Sequence, residues 1–227
     1  DGTSLPQHYK IRWHDKDDNI HVEYDPYNFP PQLPDYDMHL FSEGRHWHIY
    51  KFLGANPWII DGIKGVLFAT WAPNASRISV IGDFNQWDGR RHAMHNRHHS
   101  GLWETFIPEI GAGELYKFEI RSGHTGQLTV KYDPYAKFAE LRPNTANIVC
   151  DNKAYPWKDQ KWISQRDSKA WMHKPLSIYE IHLASWQRSA NDDFLNYREL
   201  AITLVDYVKK LGFTHIELLP ITEHPLD

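Results

Sequence analysis

Tyr116-Lys117-Phe118-Glu119-Ile120-Arg121 and Leu128-Thr129-Val130-Lys131-Tyr132-Asp133-Pro134-Tyr135 decide the fold. Polar and apolar side chains alternate along both stretches, with a short polar turn between them. That is the pattern of a β-hairpin with one buried face. Pro134 closes the second strand, because it cannot donate to a ladder and restricts the residue before it.

The same arrangement occurs earlier. Tyr9-Lys10-Ile11-Arg12 leads through a polar turn to Ile20-His21-Val22-Glu23-Tyr24-Asp25-Pro26-Tyr27. From the Tyr-Lys pair to Tyr-Asp-Pro-Tyr is 15 residues in the first copy and 16 in the second. Recurrence at matching offsets marks an internal repeat. Several candidate strands precede the second hairpin, and only eight residues precede the first. The chain is therefore expected to open inside the tail of one β-domain (1–36) and then to contain a whole second one (37–150).

Other strand signals in that second region are Gly65 to Ala72, Arg77 to Gly82, Gly101 to Ile107, and Asn147 to Cys150. Short strands separated by Gly, Pro and Asn turns argue for an antiparallel sandwich, and no helix of any length is expected between about Leu40 and Cys150. A polar connection with three Trp (151–176) follows. Ser177 to Leu183 then reads as a strand. Asn196 and Glu199 form a capping box, and Leu200, Leu204, Tyr207, Val208 and Leu211 recur at helical spacing up to Gly212. Phe213 to Leu219 is a further strand. This βαβ unit is the opening step of a parallel sheet or (β/α)8 barrel. It is left open at 227, so the chain reads as part of a longer protein.

Composition limits the function. The chain has 227 residues, 41% apolar and 24% charged, with a net charge of −4. That is globular and gives no support for nucleic-acid binding. No apolar run is long enough for a membrane helix. The single cysteine, Cys150, cannot form an internal disulfide, fits a reducing compartment, and has no nearby base in sequence to activate it. Aromatic content is high, at 14% with ten Trp and 15 His. The loop with His92, His95, His98, His99, Arg90, Arg91 and Arg97 reads as solvated rather than metal-binding.

Gly82-Asp83-Phe84-Asn85-Gln86-Trp87-Asp88 is a tight turn that sets Trp87 beside a strand end. It can be a turn with a core Trp. It can also be a stacking platform, since an indole suits the C–H face of a sugar ring, with Asn85 and Lys117 for the hydroxyls.

Val66 to Ala75, Val80 to Trp87, Gly101-Leu102-Trp103 and Tyr116-Lys117-Phe118 together resemble carbohydrate-binding module family 48. The resemblance implies that Trp87 and Lys117 bind glucan, with Asn147 as a third contact. The second stacking Trp of glycogen-sensing relatives is replaced by Gln127-Leu128, which leaves bracing of a barrel as the alternative role. Tyr179 to Trp186 and Gly212 to Pro225 resemble the first two barrel strands of glycoside hydrolase family 13. Glu223-His224-Pro225 and the run from Met38 to Ala55 are similar to its branching enzymes.

What this implies is a mostly β chain: an immunoglobulin-like sandwich, preceded by the tail of another and followed by the start of a (β/α)8 barrel (177–227). The implied parent is a cytoplasmic, monomeric enzyme of glycogen biosynthesis that needs no metal or other cofactor. Its partner is α-glucan: glycogen, amylose or maltooligosaccharides. It would cut an α-1,4 bond by a retaining double displacement and pass the chain to a 6-hydroxyl. The family's carboxylates lie on later barrel strands, so no catalytic residue is expected in this span. Glu180 and Glu217 read as structural, and Glu223 and His224 as cleft-lining. Trp157, Trp162 and Trp171 read as packing between domains. The alternatives are a debranching or maltooligosyltrehalose-hydrolysing enzyme of family 13, and a non-catalytic glucan-binding module.

Overall fold

The computed structural model describes residues 6–97, 100–141, 143–151, 155–166 and 173–221. They fall into two compact units, within 1–154 and 155–222.

The first unit begins with strands β1 (Lys10–His14) and β2 (Ile20–Tyr24), an antiparallel pair with Lys10 opposite Tyr24. Helix α1 (Asp35–Ser42) follows. It lies mostly ahead of the stretch expected to be free of helix, and its last turn runs into it. Two sheets then stack. One contains β3 (Gly54–Ile60), β4 (Ile63–Trp71), β7 (Leu102–Pro108) and β6 (His95–Asn96), in the order β3-β4-β7-β6. The other contains β5 (Ala75–Gly82), β8 (Leu115–Ser122), β9 (Leu128–Lys131) and β10 (Asn147–Ile148), and β8 pairs with each of the other three. Val66, Phe68, Trp103 and Ile107 from the first sheet meet Ile78, Val80, Tyr116 and Phe118 from the second in one core.

Strand β3 is among the elements that the sequence reading lacked. Pro57 argues against a central strand, and the structure places β3 at the sheet edge, where a missing N–H is tolerated. The turn that joins it to β4 is Asp61-Gly62, both at positive φ (48° and 84°), as a two-residue hairpin requires.

Strands β4 and β7 are buried on both faces. Outside the sandwich, Phe29 packs on Leu67 and Phe106, and Leu33 and Leu53 pack on Ala69 and Leu102. The segment after the first hairpin thus covers the outer sheet face. This is why Val66-Leu67-Phe68-Ala69 is continuously apolar rather than alternating. Glu104 is buried under the same cover. Its carboxylate accepts the Gln32 N–H (2.7 Å), the Leu33 N–H (3.1 Å) and an Arg97 guanidinium N–H (2.9 Å). Arg97 is therefore no solvated loop residue. Its loop also lies against β5, with the Val80 N–H donating to the His92 carbonyl and the Met94 N–H to the Ile78 carbonyl.

The repeat is structural as well as sequential. The Tyr116 hydroxyl donates to Asp133 Oδ2 at 2.7 Å, and the Tyr135 N–H to Asp133 Oδ1 at 2.8 Å. In the first copy the Tyr9 hydroxyl donates to Asp25 Oδ2 at 2.7 Å, and the Tyr27 N–H to Asp25 Oδ1 at 2.9 Å. Tyr116 and Asp133 are buried, whereas Tyr9 and Asp25 of the first copy are only half-buried. Close by, Gly54 sits at φ 92°, where any Cβ would press into the Tyr135 carbonyl at 2.7 Å.

The second unit pairs β11 (Ile178–Ile181) with β12 (His215–Leu218) in parallel, Ile178 opposite His215. Helix α4 (Tyr197–Lys210) connects them, after the short α3 (Leu183–Trp186). The capping box forms as read: Asn196 Oδ1 accepts the Arg198 and Glu199 N–H groups, and Glu199 accepts the Asn196 N–H. Leu200, Leu204 and Val208 pack on Ile181 and Leu183, while Leu211 is exposed. Gly212 takes the left-handed C-cap position at φ 85°. Helix α2 (Gln160–Arg166) occupies part of the connection read as linker.

The two copies of the clasp predict unequal costs. Tyr116→Phe strands a buried carboxylate and lowers the unfolding free energy by about 1–3 kcal/mol. Tyr9→Phe, at the half-buried copy, costs less, since water can reach the carboxylate it leaves. Urea denaturation of both variants checks this, and equal effects would refute the difference in burial.

Candidate functional site

The turn that follows β5 is built around Asn85. This side chain is wholly buried. Its Oδ1 accepts the Gly82 N–H (2.9 Å), and its Nδ2 reaches the Val80 carbonyl (2.8 Å) and His92 Nδ1 (2.8 Å). The main chain closes over it, with the Gln86 N–H on the Asp83 carbonyl and the Trp87 N–H on the Gly82 carbonyl. Gln86 and Trp87 both adopt left-handed backbone, at φ 58° and 59°. Each such residue costs about 1–3 kcal/mol and persists only where the surroundings over-determine it.

The turn brings Trp87 to the surface, where it is 37% exposed, with its indole N–H donating to Asp83 Oδ1 at 2.7 Å. Gly82, at the root of the turn, is paired with Tyr116, and Ile81 with Lys117. On the other side of β8, Asn147 is paired with Tyr116. The Trp87 turn, Lys117 and the segment before β10 therefore share one end of one sheet. The Lys117 ammonium donates to the exposed Thr145 hydroxyl at 2.6 Å.

Two of the sequence-predicted contacts are corrected here. Asn85 and Asn147 face the protein, not solvent. Asn147 accepts the Asp133 N–H (3.2 Å) and donates to the Tyr116 carbonyl (2.9 Å), and it is as fully buried as Asn85. Both amides are used up inside the protein, by main-chain groups and, for Asn85, by the His92 ring as well. Trp87 and Lys117 remain as the solvent-facing pair. Asp83 and Thr145 join them, and the sequence carried no signal that would have singled these two out.

Trp47, Trp157 and Trp162 are exposed, Trp47 at 88%. Glu180 and Glu217 sit side by side in the β11–β12 register and are exposed. Glu223, His224, His98, His99 and Trp171 lie outside the described residues. A separate cleft of about 510 Å³ lies along β3, lined by Tyr50, Phe52, Asn56, Trp58 and Lys137 among others. None of the sequence-predicted contacts lines it.

Residues 52–136 match the model of carbohydrate-binding module 48 (isoamylase N-terminal domain). The 1,4-alpha-glucan branching enzyme GlgB of Nitrosococcus oceani is 58% identical over 224 residues, 99% of this chain and 30% of that enzyme. GlgB of Methylococcus capsulatus is 57% identical over 220 residues, 97% of this chain and 30% of that enzyme. The chain belongs to the GlgB branching-enzyme family. It spans about 30% of the length of the GlgB relatives it matches. Among solved structures, a putative alpha amylase from Salmonella typhimurium superposes with a TM-score of 0.56 at 21% identity, covering 77% of this chain and 25% of that one. That is a likeness of fold. The Trp87 turn and β8 both fall inside the region matched by the module. Among the described residues, no helix is long and apolar enough to cross a membrane.

Burial, with Arg91 adding its charge, pushes the His92 ring down to about 4 from 6.5. The neutral ring accepts the Asn85 amide proton. The unfolded chain takes up a proton as pH falls below about 6.5, whereas the folded chain resists until about 4. His92 thus favours the fold above pH 6.5 and loses that contribution as pH drops toward 4. The stability of wild type relative to His92→Gln should shrink across this window, measured by urea denaturation at each pH. A difference independent of pH would mean that the ring protonates freely in the fold.

Proposed function

We propose that this chain forms the glucan-holding and barrel-opening part of a 1,4-α-glucan branching enzyme. The observation that carries this reading is the exposed Trp87 indole at the sheet end it shares with Lys117, inside the region matched by a carbohydrate-binding module. A six-membered sugar ring offers an apolar C–H face to the indole, while its hydroxyls accept from the Lys117 ammonium. The ligand class is α-1,4-glucan, after the substrate in the names of the relatives.

Residues 37–150 then act as an immunoglobulin-like binding module. Residues 1–36 close a preceding sandwich, and 151–176 link to 177–227, the first βαβ step of a (β/α)8 barrel. The Tyr9–Asp25 clasp supports the reading of 1–36, since it repeats the module's own hairpin closure. A parallel strand pair with its helix supports the barrel start, because parallel strands need covering on both faces. Glu223 and His224, just past β12, would line the cleft at the C-terminal face of that barrel. The parent works in the cytoplasm, in glycogen synthesis. It breaks an α-1,4 bond by carboxylate attack and hands the glucosyl chain to a 6-hydroxyl, with carboxylates lying beyond this span. No cofactor enters that chemistry. The module keeps the long donor chain close to the cleft, which raises its local concentration.

Two measurements test this. Trp87→Ala should weaken maltoheptaose binding by about tenfold or more in calorimetric titration, the usual loss for a central aromatic anchor. Unchanged affinity would remove the surface from the reading. The 227-residue chain should introduce no α-1,6 branches into amylose, as followed by iodine staining and isoamylase digestion. Any turnover would overturn the placement of the catalytic carboxylates.

A further inference from the structure

The indole of Trp87 is not held by packing alone. Its one polar atom, Nε1, donates to Asp83 Oδ1 at 2.7 Å, four residues back in the chain. Asp83 also holds the turn through its main chain, since its carbonyl accepts the Gln86 N–H at 3.1 Å. Between them lie two successive left-handed residues, Gln86 and Trp87 at φ 58° and 59°. The turn is therefore fixed at its base by Asn85 and at its tip by the Asp83–indole bond. Without that bond, a half-exposed Trp on a surface turn would sample several χ1 and χ2 wells. Freezing those wells on ligand arrival weakens binding, and a ring frozen beforehand avoids the loss.

We propose that Asp83 is a positioning residue for the glucan-binding surface: its carboxylate fixes the plane of the Trp87 ring before the sugar arrives. The inference rests on Trp87 being the glucan contact. Asp83 acts through the indole and need not touch sugar itself. The requirement is for an acceptor oxygen at this position rather than for a charge. Asn supplies such an oxygen and Ala does not.

The test uses the 227-residue chain and maltoheptaose. Asp83→Ala should raise Kd about two- to tenfold, the range expected for immobilising one side chain on binding. Asp83→Asn should restore Kd to within about twofold of wild type, less than the smallest loss expected from a freed ring. In proton–nitrogen spectra, the Trp87 indole N–H resonance should move upfield and exchange faster with solvent in Asp83→Ala, and keep its place in Asp83→Asn. In a Trp87→Phe background, Asp83→Ala should cause no additional loss, because Phe has no N–H to anchor.

Unchanged Kd in Asp83→Ala overturns the proposal, as does failure of Asn to rescue, or an additional loss in the Trp87→Phe background. If Asp83→Ala unfolds the chain, Asp83→Asn and Asp83→Ser still decide, through the indole resonance and Kd. Failure of the underlying reading looks different: Trp87→Ala itself would then leave Kd unchanged.

Discussion

The Tyr116 hydroxyl resting on the buried Asp133 carboxylate is the contact on which the rest of the first unit depends. Strand β8 is the hub of its sheet, pairing with β5, β9 and β10. Tyr116 carries the hub across to the other sheet, where its ring meets Phe68 edge-on at 5.1 Å. Asp133 in turn gathers the chain after β9 and, through its N–H, Asn147 of β10. Burial raises the Asp133 carboxyl to about 6, against the pull of its donors Tyr116 and Tyr135 and of nearby Lys137. A carboxylate kept in such a place costs stability unless donors reach it, and each of its two oxygens accepts one hydrogen bond.

The candidate glucan surface inherits this order. Gly82 is the strand partner of Tyr116, so the turn carrying Trp87 is rooted beside the clasp. Lys117 is the next residue along β8, and Thr145 is two residues from Asn147. The buried amides of Asn85 and Asn147 tie main chain to main chain beneath that surface. They set the positions of groups that face solvent, and they do so by being unavailable to solvent themselves. The far side of the module follows another rule: Glu104 accepts two N–H groups of the chain at Gln32 and Leu33, and Arg97 neutralises it. One buried ion pair turns an outer sheet face into a second core.

Several of these features were legible in the residues. The Tyr-Asp-Pro-Tyr recurrence marked the two clasps, the Asn196–Glu199 spacing marked a capping box, and Gly82 to Asp88 marked a tight turn with Trp87 at its tip. The box and the turn depend on neighbours within a few residues and each clasp on a single hairpin, so spacing alone reports them. Arg97 was misread for the opposite reason. A basic residue among histidines looks solvated, and its partner Glu104 is buried on a strand that reads as sandwich core. Strand β3 was hidden by Pro57, whose cost vanishes at a sheet edge that only the assembled sheet defines.

What the sequence by itself determined was the local grammar: strand alternation, turn residues, caps and the repeat, all set by backbone sterics and short-range hydrogen bonds. What only the tertiary structure decided was the direction in which the polar side chains point. Asn85, Asn147 and Trp87 are all plausible sugar contacts by residue type. The fold turns the two amides inward, because buried main-chain groups must be satisfied. It leaves the indole outward, because two left-handed residues and one carboxylate oxygen hold it there.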